Sequence, residues 1–291
     1  MNYLNPVGSL VALVFFSLGC GNVVSDQSCK ASSLTTVKNI HSSLPSSWVS
    51  EFNSIYAILE SLTPIGAENY NRVEIYAWND NTADPYEGID GGAYIGGNDC
   101  TKQFVTEIPQ AEFDNSDWHR YSVVAHEYFH LYQMHQNIHQ GRTRDDPNGF
   151  SIKWLVEGAA ATFESLYILE KYSGNYFTKQ NSLSSVLDNP ASLESYDIED
   201  PNYSNSVYLT LALVKELVSA GKTETQAFTL VLNTFMAQKP TNANWKTIFA
   251  STFGFSVESF YSTIPNYRGN TATDTVPELA PTSPPALDAI F

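Results

Sequence analysis

Two histidines and a glutamate stand at a spacing that suits metal chemistry. The segment His126-Glu127-Tyr128-Phe129-His130 places the histidines four residues apart. In an α-helix of about 3.6 residues per turn, this spacing brings both imidazoles to one face, where they can bind one metal ion. Glu127 lies about 100° round the helix from His126, where it can contact a water molecule on the metal. The pattern predicts a Zn²⁺ site with Glu127 as general base; two ordinary helix histidines are the alternative.

Glu157 is the candidate for a third metal ligand, because a catalytic zinc site takes three protein ligands and keeps one position open. It lies in residues 154–160 (WLVEGAA), on the next predicted helix. Small residues beside it allow this helix to pack close to the first. Its neighbours Leu155 and Val156 are apolar, and an unpaired carboxylate among them would be costly. We therefore predict that Glu157 binds the metal, rather than being a solvated helix carboxylate.

The elements that must position these residues follow from hydrophobic periodicity and helix-ending residues. Residues 72–78 alternate as a strand does, and the glycine-rich segment 91–97 (GGAYIGG) predicts a strand that another chain can approach closely. Helical spacing predicts two short helices within residues 34–62. It also predicts helices at 121–138, 152–172, 206–220, 223–238, 245–252 and 257–264. Strands first and helices afterwards indicate an α+β fold.

Composition narrows the class of protein. The chain of 291 residues is 43% hydrophobic and only 16% charged, so most of it can bury a core. Asp and Glu number 31 against 15 Lys and Arg, a formal net charge of −16. This acidic surplus repels a phosphate backbone and opposes a polybasic membrane patch. Nucleic acid is therefore excluded as a predicted partner.

The amino terminus has the pattern of an export signal. Residues 10–18 (LVALVFFSL) form an apolar run of signal-peptide length, too short to span a bilayer. The run ends in Ser17-Leu18-Gly19-Cys20, which resembles a bacterial lipoprotein processing site. We therefore predict export from a bacterial cell, with Cys20 lipidated as the only membrane anchor. Simple secretion, or release into the periplasm, is the alternative.

The other two cysteines, Cys29 and Cys100, form an even pair once Cys20 carries lipid. Disulfides persist outside the cytoplasm, so we predict a bond between them, with two unpaired buried thiols as the alternative. Residues 269–291 hold four of the 14 prolines and show no helical period. The predicted organisation is a signal peptide at 1–19, a tether at 20–33, one catalytic domain at 34–268 and a disordered Pro-rich tail at 269–291.

The two motifs HEYFH and WLVEGAA together resemble the gluzincin metallopeptidases, the group that includes thermolysin, the aminopeptidases and the bacterial collagenases. The resemblance covers Gly91 to Tyr267, with a longer spacer between His130 and Glu157 than in thermolysin. It implies a zincin-like fold: a small mixed sheet whose glycine-rich edge strand packs on the active-site helix, followed by a mainly helical part. It also implies a peptide or protein substrate, bound along the edge strand by Gly92, Ala93 and Tyr94. Because the aminopeptidase exopeptidase loop is not recognisable, endopeptidase activity is expected.

The same resemblance implies two supporting residues. Tyr203 matches a tyrosine that hydrogen-bonds the oxyanion in related aminopeptidases, with Tyr208 as a second candidate and a packing role as the alternative. Glu164, two turns after Glu157, is expected to orient a ligating histidine, unless it is an exposed carboxylate. Two rival functions remain at this point: a surface lipoprotein that binds without catalysis, and a zinc hydrolase of a non-peptide amide.

Overall fold

The computed structural model describes residues 29, 32–136, 147–267, 276–281 and 284–291. The predicted signal peptide, Cys20 and most of the predicted tether lie outside the described residues. Within the described part of the chain, no helix is long and apolar enough to cross a membrane. The predicted disulfide is present, joining Cys29 to Cys100 with 5.0 Å between their Cα atoms.

Four strands form one mixed sheet in the order β1-β2-β4-β3. Strands β1, β2 and β4 run parallel, and β3 pairs antiparallel with β4 at one edge. The alternation predicted for β2 is present, since Val73, Ile75 and Ala77 are buried on one face. The glycine-rich segment supplies the edge strand. The strand bounds are β1 Thr35–Ile40, β2 Arg72–Asn79, β3 Ala93–Gly97 and β4 Thr101–Ile108.

Strand β1 corrects the prediction of two short helices within residues 34–62. Val37 and Ile40 stand at helical spacing, but the segment forms a strand whose Thr36 pairs with Val73 of β2. Parallel pairing across a long stretch of chain leaves no local signal, and the β-branched residues at the start of the segment suit a strand. A single helix, α1 (Ser46–Leu62), begins directly after Pro45.

The remaining predicted helices are confirmed, with shifts of a few residues at their ends. A π-helical turn at Leu230–Thr234 joins α6 to α7, so the helix predicted over 223–238 contains a bulge. The bounds are α2 Gln110–Asp114, α3 His119–His135, α4 Lys153–Tyr172, α5 Ser204–Ser219, α6 Glu224–Thr229, α7 Phe235–Ala237, α8 Trp245–Phe253, α9 Val257–Tyr267 and α10 Val276–Leu279. Short 3₁₀ turns connect α4 to α5.

Helix α3 lies in the middle of the molecule. It contacts α1, strands β3 and β4 of the sheet, and α4. Every residue from Ser122 to Met134 is buried. The ring of Tyr128 packs edge-on against Tyr56 of α1, with 5.2 Å between ring centroids. This central position explains why α3 has little hydrophobic asymmetry: a helix covered on most sides needs no polar face.

Helices α4 and α5 approach each other very closely at Gly158. A Cβ atom at this position would lie 2.6 Å from the carbonyl oxygen of Ser206 and 2.7 Å from Oγ1 of Thr210. The sequence predicts that the small residues around Glu157 let its helix pack on the histidine helix. At Gly158 the close neighbour is instead α5. The glycine therefore fixes α4 against the helix that follows the loop carrying Tyr203.

The prediction of a disordered tail is wrong for the described residues between 276 and 291. Helix α10 begins at Val276, which is buried, and a 3₁₀ turn buries Leu287 and Ile290 completely or nearly so. The ring of Phe291 packs against Phe129 of α3 and Phe163 of α4. Prolines and missing periodicity therefore mark an irregular segment here, and its apolar residues fill gaps between helices.

Leu287→Ala is expected to lower the free energy of unfolding by about 2–5 kcal/mol, because it leaves a cavity in a packed core. The measurement is urea unfolding followed by circular dichroism. Asp288→Ala is the matched control, since Asp288 is exposed in the same turn. If the two variants unfold at the same urea concentration, the C-terminal segment does not belong to the core.

Candidate metal centre

Helices α3 and α4 bring three predicted ligands together in the interior. His126 and His130 are 6% and 4% exposed, and Glu157 is 7% exposed. The two Nε2 atoms lie 3.0 Å apart. Glu157 Oε2 lies 3.4 Å from Nε2 of His126 and 3.2 Å from Nε2 of His130. Among the described residues, this is the group of histidine, cysteine and acidic side chains that can hold a metal ion.

The separations between Glu157 and the two histidines, 3.2 and 3.4 Å, are close to those between ligand atoms on one metal ion. A tetrahedral ion with bonds of about 2.0–2.1 Å holds its ligand atoms about 3.3–3.4 Å apart. Glu157 Oε2 is buried and makes no hydrogen bond within the described part of the chain, although two imidazole nitrogens face it. A buried carboxylate oxygen without a hydrogen bond is costly, and a positive charge at this point, from a metal ion or from a protonated imidazole, offsets that cost.

Glu157 and His126 have shifted pKa values that favour opposite charges on the two side chains. Burial raises the pKa of Glu157, but the facing His130 and His126 lower it further, so that it lies well below its usual range. Burial lowers the pKa of His126, whereas Glu157 and Glu164 raise it, with a net value well above the ordinary one. Without a metal, the site therefore holds a carboxylate beside a protonated imidazole.

Gln133 fixes the orientation of His130, and sequence reasoning missed it. Nδ1 of His130 is 2.8 Å from Oε1 of Gln133, so the Nδ1–H donates and the Nε2 lone pair points to the metal position. The amide nitrogen of Gln133 donates to the carbonyl oxygen of Val156, next to Glu157. One side chain thus ties the two ligand-bearing helices together. Its position three residues after His130, on the same helix face, is the signal that could have identified it.

Glu164 lies beside His126. Its Oε2 is 3.6 Å from Nδ1 of His126, on the side of the ring away from the other ligands. The amide of Gln180 donates to Oε1 of Glu164 at 3.0 Å, and Oγ of Ser165 donates to the Gln180 amide oxygen. The 3.6 Å between Glu164 Oε2 and His126 Nδ1 makes this an ionic contact rather than a hydrogen bond. The held carboxylate favours a proton on Nδ1 and leaves Nε2 to the metal.

Glu127 lies beside the three ligands without being one of them. It is 5% exposed, and its Oε2 has no hydrogen-bond partner among the described residues. Burial raises its pKa, against the lowering effect of His130 and His126. A buried carboxylate with a raised pKa and a free oxygen is suited to accepting a proton from a water molecule at the site.

Tyr203 lies against His126 at the centre. Its ring stacks on His126, with 5.4 Å between centroids and an interplanar angle of 15°. The negative charge of Glu157 and burial raise the pKa of Tyr203 well above its usual value, so the neutral phenol persists. Its backbone and that of Asn202 are both left-handed, each with φ of 52°. This conformation costs free energy in a residue other than glycine, and such strain is typical of functional sites.

Asp200 holds the strained turn in place. Its carboxylate caps the start of α5, accepting bonds from the backbone and side chains of Asn205 and Ser206 at 2.6–2.9 Å. The backbone N–H of Tyr203 donates to the carbonyl oxygen of Asp200. A negative charge at a helix N-terminus is stabilising. The cap therefore fixes the position of the Tyr203 backbone at the start of α5.

The second tyrosine candidate, Tyr208, has its hydroxyl bonded elsewhere, and a tyrosine that the sequence did not reveal contacts Glu157. Tyr208 is fully buried and donates to the carbonyl oxygen of Tyr267, so it takes no part in the centre. Tyr196 instead donates from its hydroxyl to Oε1 of Glu157 at 3.0 Å. The residue as a whole is 46% exposed, and its hydrogen bond to Glu157 lies in a partly buried position. No periodicity or motif marks this tyrosine in the sequence.

The predicted substrate strand lies at the sheet edge beside α3. Ala93 and Tyr94 begin β3, whose inner side pairs with β4 and whose outer side has no strand partner in the described part of the chain. Gly92 precedes it with φ of 106°, a conformation open to glycine. Glu107 accepts a hydrogen bond from the Gly92 N–H at 2.9 Å. These contacts fix the start of an edge that offers free backbone groups.

Comparison of the chain with protein-family models, curated proteins and solved structures gives no match. The geometry of the centre is therefore the basis for any functional assignment.

Proposed function

We propose that this protein is a zinc-dependent peptidase that cleaves peptide bonds within a chain. The observation that carries the proposal is the convergence of His126, His130 and Glu157 on one point, with the free carboxylate of Glu127 beside it. Two imidazole nitrogens and one carboxylate oxygen form a donor set that suits Zn²⁺. Three protein ligands leave the open position that catalysis needs.

Each side chain at the centre has a separate role in hydrolysis. A bound zinc ion would lower the pKa of water at its open position and polarise the scissile carbonyl. Glu127 takes the proton from that water and passes it to the leaving amine. The hydroxyl of Tyr203 donates to the oxygen that becomes negative, since the raised pKa keeps it protonated. The outer side of β3 hydrogen-bonds an extended substrate as a further strand.

The proposal also includes export from the cell. A removable signal at residues 1–19 and a lipid on Cys20 would place the peptidase on a membrane or cell surface, where its substrates are peptides or proteins. The disulfide between Cys29 and Cys100 supports a compartment outside the cytoplasm.

The test combines metal content with cleavage. Purified protein is expected to contain one zinc ion per chain and to cleave members of a peptide library at internal bonds. Removal of zinc with a chelator should abolish cleavage, and added zinc should restore it. Stoichiometric zinc without any cleavage would refute the peptidase and favour the non-catalytic binding protein. Cleavage that survives complete zinc removal would refute the metal mechanism.

Zinc binding at neutral pH is expected to release protons. Because the pKa of His126 is raised in the metal-free protein, its imidazole is still protonated at pH 7 and must lose that proton to bind zinc. The apparent zinc affinity should therefore rise with pH until the pH passes this raised pKa. Isothermal titration calorimetry in buffers of different ionisation enthalpy counts the protons.

A variant separates this effect from the protonation of other groups. Glu164 is one of the charges that raise the pKa of His126, so Glu164→Gln should release fewer protons at pH 7. Zinc binding by the unmodified protein without proton release would show that His126 is already neutral.

A further inference from the structure

A loop over residues 195–203 is attached at two points to α4, which carries Glu157, and at a third point to α5. The hydroxyl of Tyr196 donates to Oε1 of Glu157 at 3.0 Å. The amino group of Lys153, one turn before Glu157 on α4, donates to the carbonyl oxygen of Ile198. Asp200 caps α5. The loop therefore keeps a fixed position relative to the Glu157 carboxylate, and Tyr196 is the residue of the loop that hydrogen-bonds its Oε1.

The two oxygens of Glu157 have different surroundings. Oε2 faces His126 and His130 at 3.4 and 3.2 Å and has no hydrogen bond in the described part of the chain. Oε1 accepts the bond from Tyr196. An oxygen that already accepts from the Tyr196 hydroxyl is held away from the metal position. If both oxygens bound the ion instead, the carboxylate would fill the position that a water molecule or substrate needs.

We propose that Tyr196 is a positioning residue that restricts Glu157 to binding the metal through Oε2, and so keeps one coordination position open. The inference rests on the proposed zinc site, and it assigns a role that lies outside the ligands and the proton-transferring groups. It concerns a residue 39 positions from Glu157 in the sequence. Groups that hydrogen-bond metal ligands in this way affect metal affinity almost as much as some ligands do.

The test compares two tyrosine variants. Tyr196→Phe keeps the ring and removes the hydroxyl. Tyr76→Phe is the matched control, because Tyr76 donates to a glutamate, Glu74, at 2.9 Å on the sheet. Zinc affinity is measured by competition with a chromophoric chelator. Tyr196→Phe is expected to bind zinc about 10- to 100-fold more weakly than the control. Thermal unfolding of both metal-free variants checks that each is folded.

The visible absorption of Co²⁺ bound in place of zinc reports how many ligand atoms surround the metal. Four-coordinate Co²⁺ absorbs visible light more strongly than five-coordinate Co²⁺, so Tyr196→Phe should weaken the absorption if both Glu157 oxygens now bind. Equal zinc affinity in the two variants, or an unchanged cobalt spectrum, would overturn the proposal. If the unmodified protein binds no zinc at all, the proposed function fails instead, and the two failures are distinguishable.

Discussion

Glu127→Gln is expected to lower the rate of peptide hydrolysis by about 10²- to 10⁴-fold, the usual contribution of a general acid–base group. The glutamine amide has nearly the same size as the carboxylate but cannot accept the proton from water. Zinc binding should survive, because Glu127 lies beside the ligand group and is not one of its members. The variant thus separates proton transfer from metal binding at a single site.

The measurement pairs the turnover number with the zinc content of the same sample. Glu60→Gln makes the same chemical change at an exposed position of α1 and is the control. A Glu127→Gln protein that retains full activity would show that another group takes the proton. A variant that has lost zinc as well would show that Glu127 contributes to metal binding.

Glu157→Ala is expected to weaken zinc binding by more than the about 10- to 100-fold cost of changing a residue that only orients a ligand. It removes one of three ligands, and His126 and His130 alone form an incomplete site. Hydrolysis should disappear with the metal. The loss should exceed that of Tyr196→Phe, since that substitution leaves the ligand itself in place.

The matched comparison is Glu164→Gln, a change on the same helix two turns further along. Glu164 contacts His126 at Nδ1 and does not face the metal position. Chelator competition with both proteins gives the two affinities directly. Equal zinc affinity in Glu157→Ala and Glu164→Gln would exclude Glu157 as a ligand.

The part of the centre that follows local rules was predictable. His126 and His130 share a helix face because of the geometry of the helix, and Glu157 was recognisable as a carboxylate among apolar neighbours. The helices around them show the period of a buried face. These features depend on residues close together in the chain, and the sequence contains them directly.

Features that depend on distant contacts were not predictable in the same way. Strand β1 takes its conformation from pairing with β2, although Val37 and Ile40 alone favour a helix. Leu287 is buried by helices far away in the sequence, and its own segment has no period. Tyr196 reaches Glu157 through an irregular loop. Tertiary contacts override or replace local preference in all three cases.

The disulfide encloses one part of the chain in a covalent ring and leaves the rest outside it. Cys29 and Cys100 lie 71 positions apart, and the ring they close contains β1, α1, β2 and β3 but none of the residues that face the metal position. A ring of this size restricts the unfolded chain and stabilises the fold by about 4 kcal/mol in the chain-entropy model. This energy depends on the redox state of the surroundings. Under oxidising conditions the edge strand proposed to bind substrate lies inside a covalent ring, while reduction would remove this contribution to stability and leave the three proposed metal ligands unchanged.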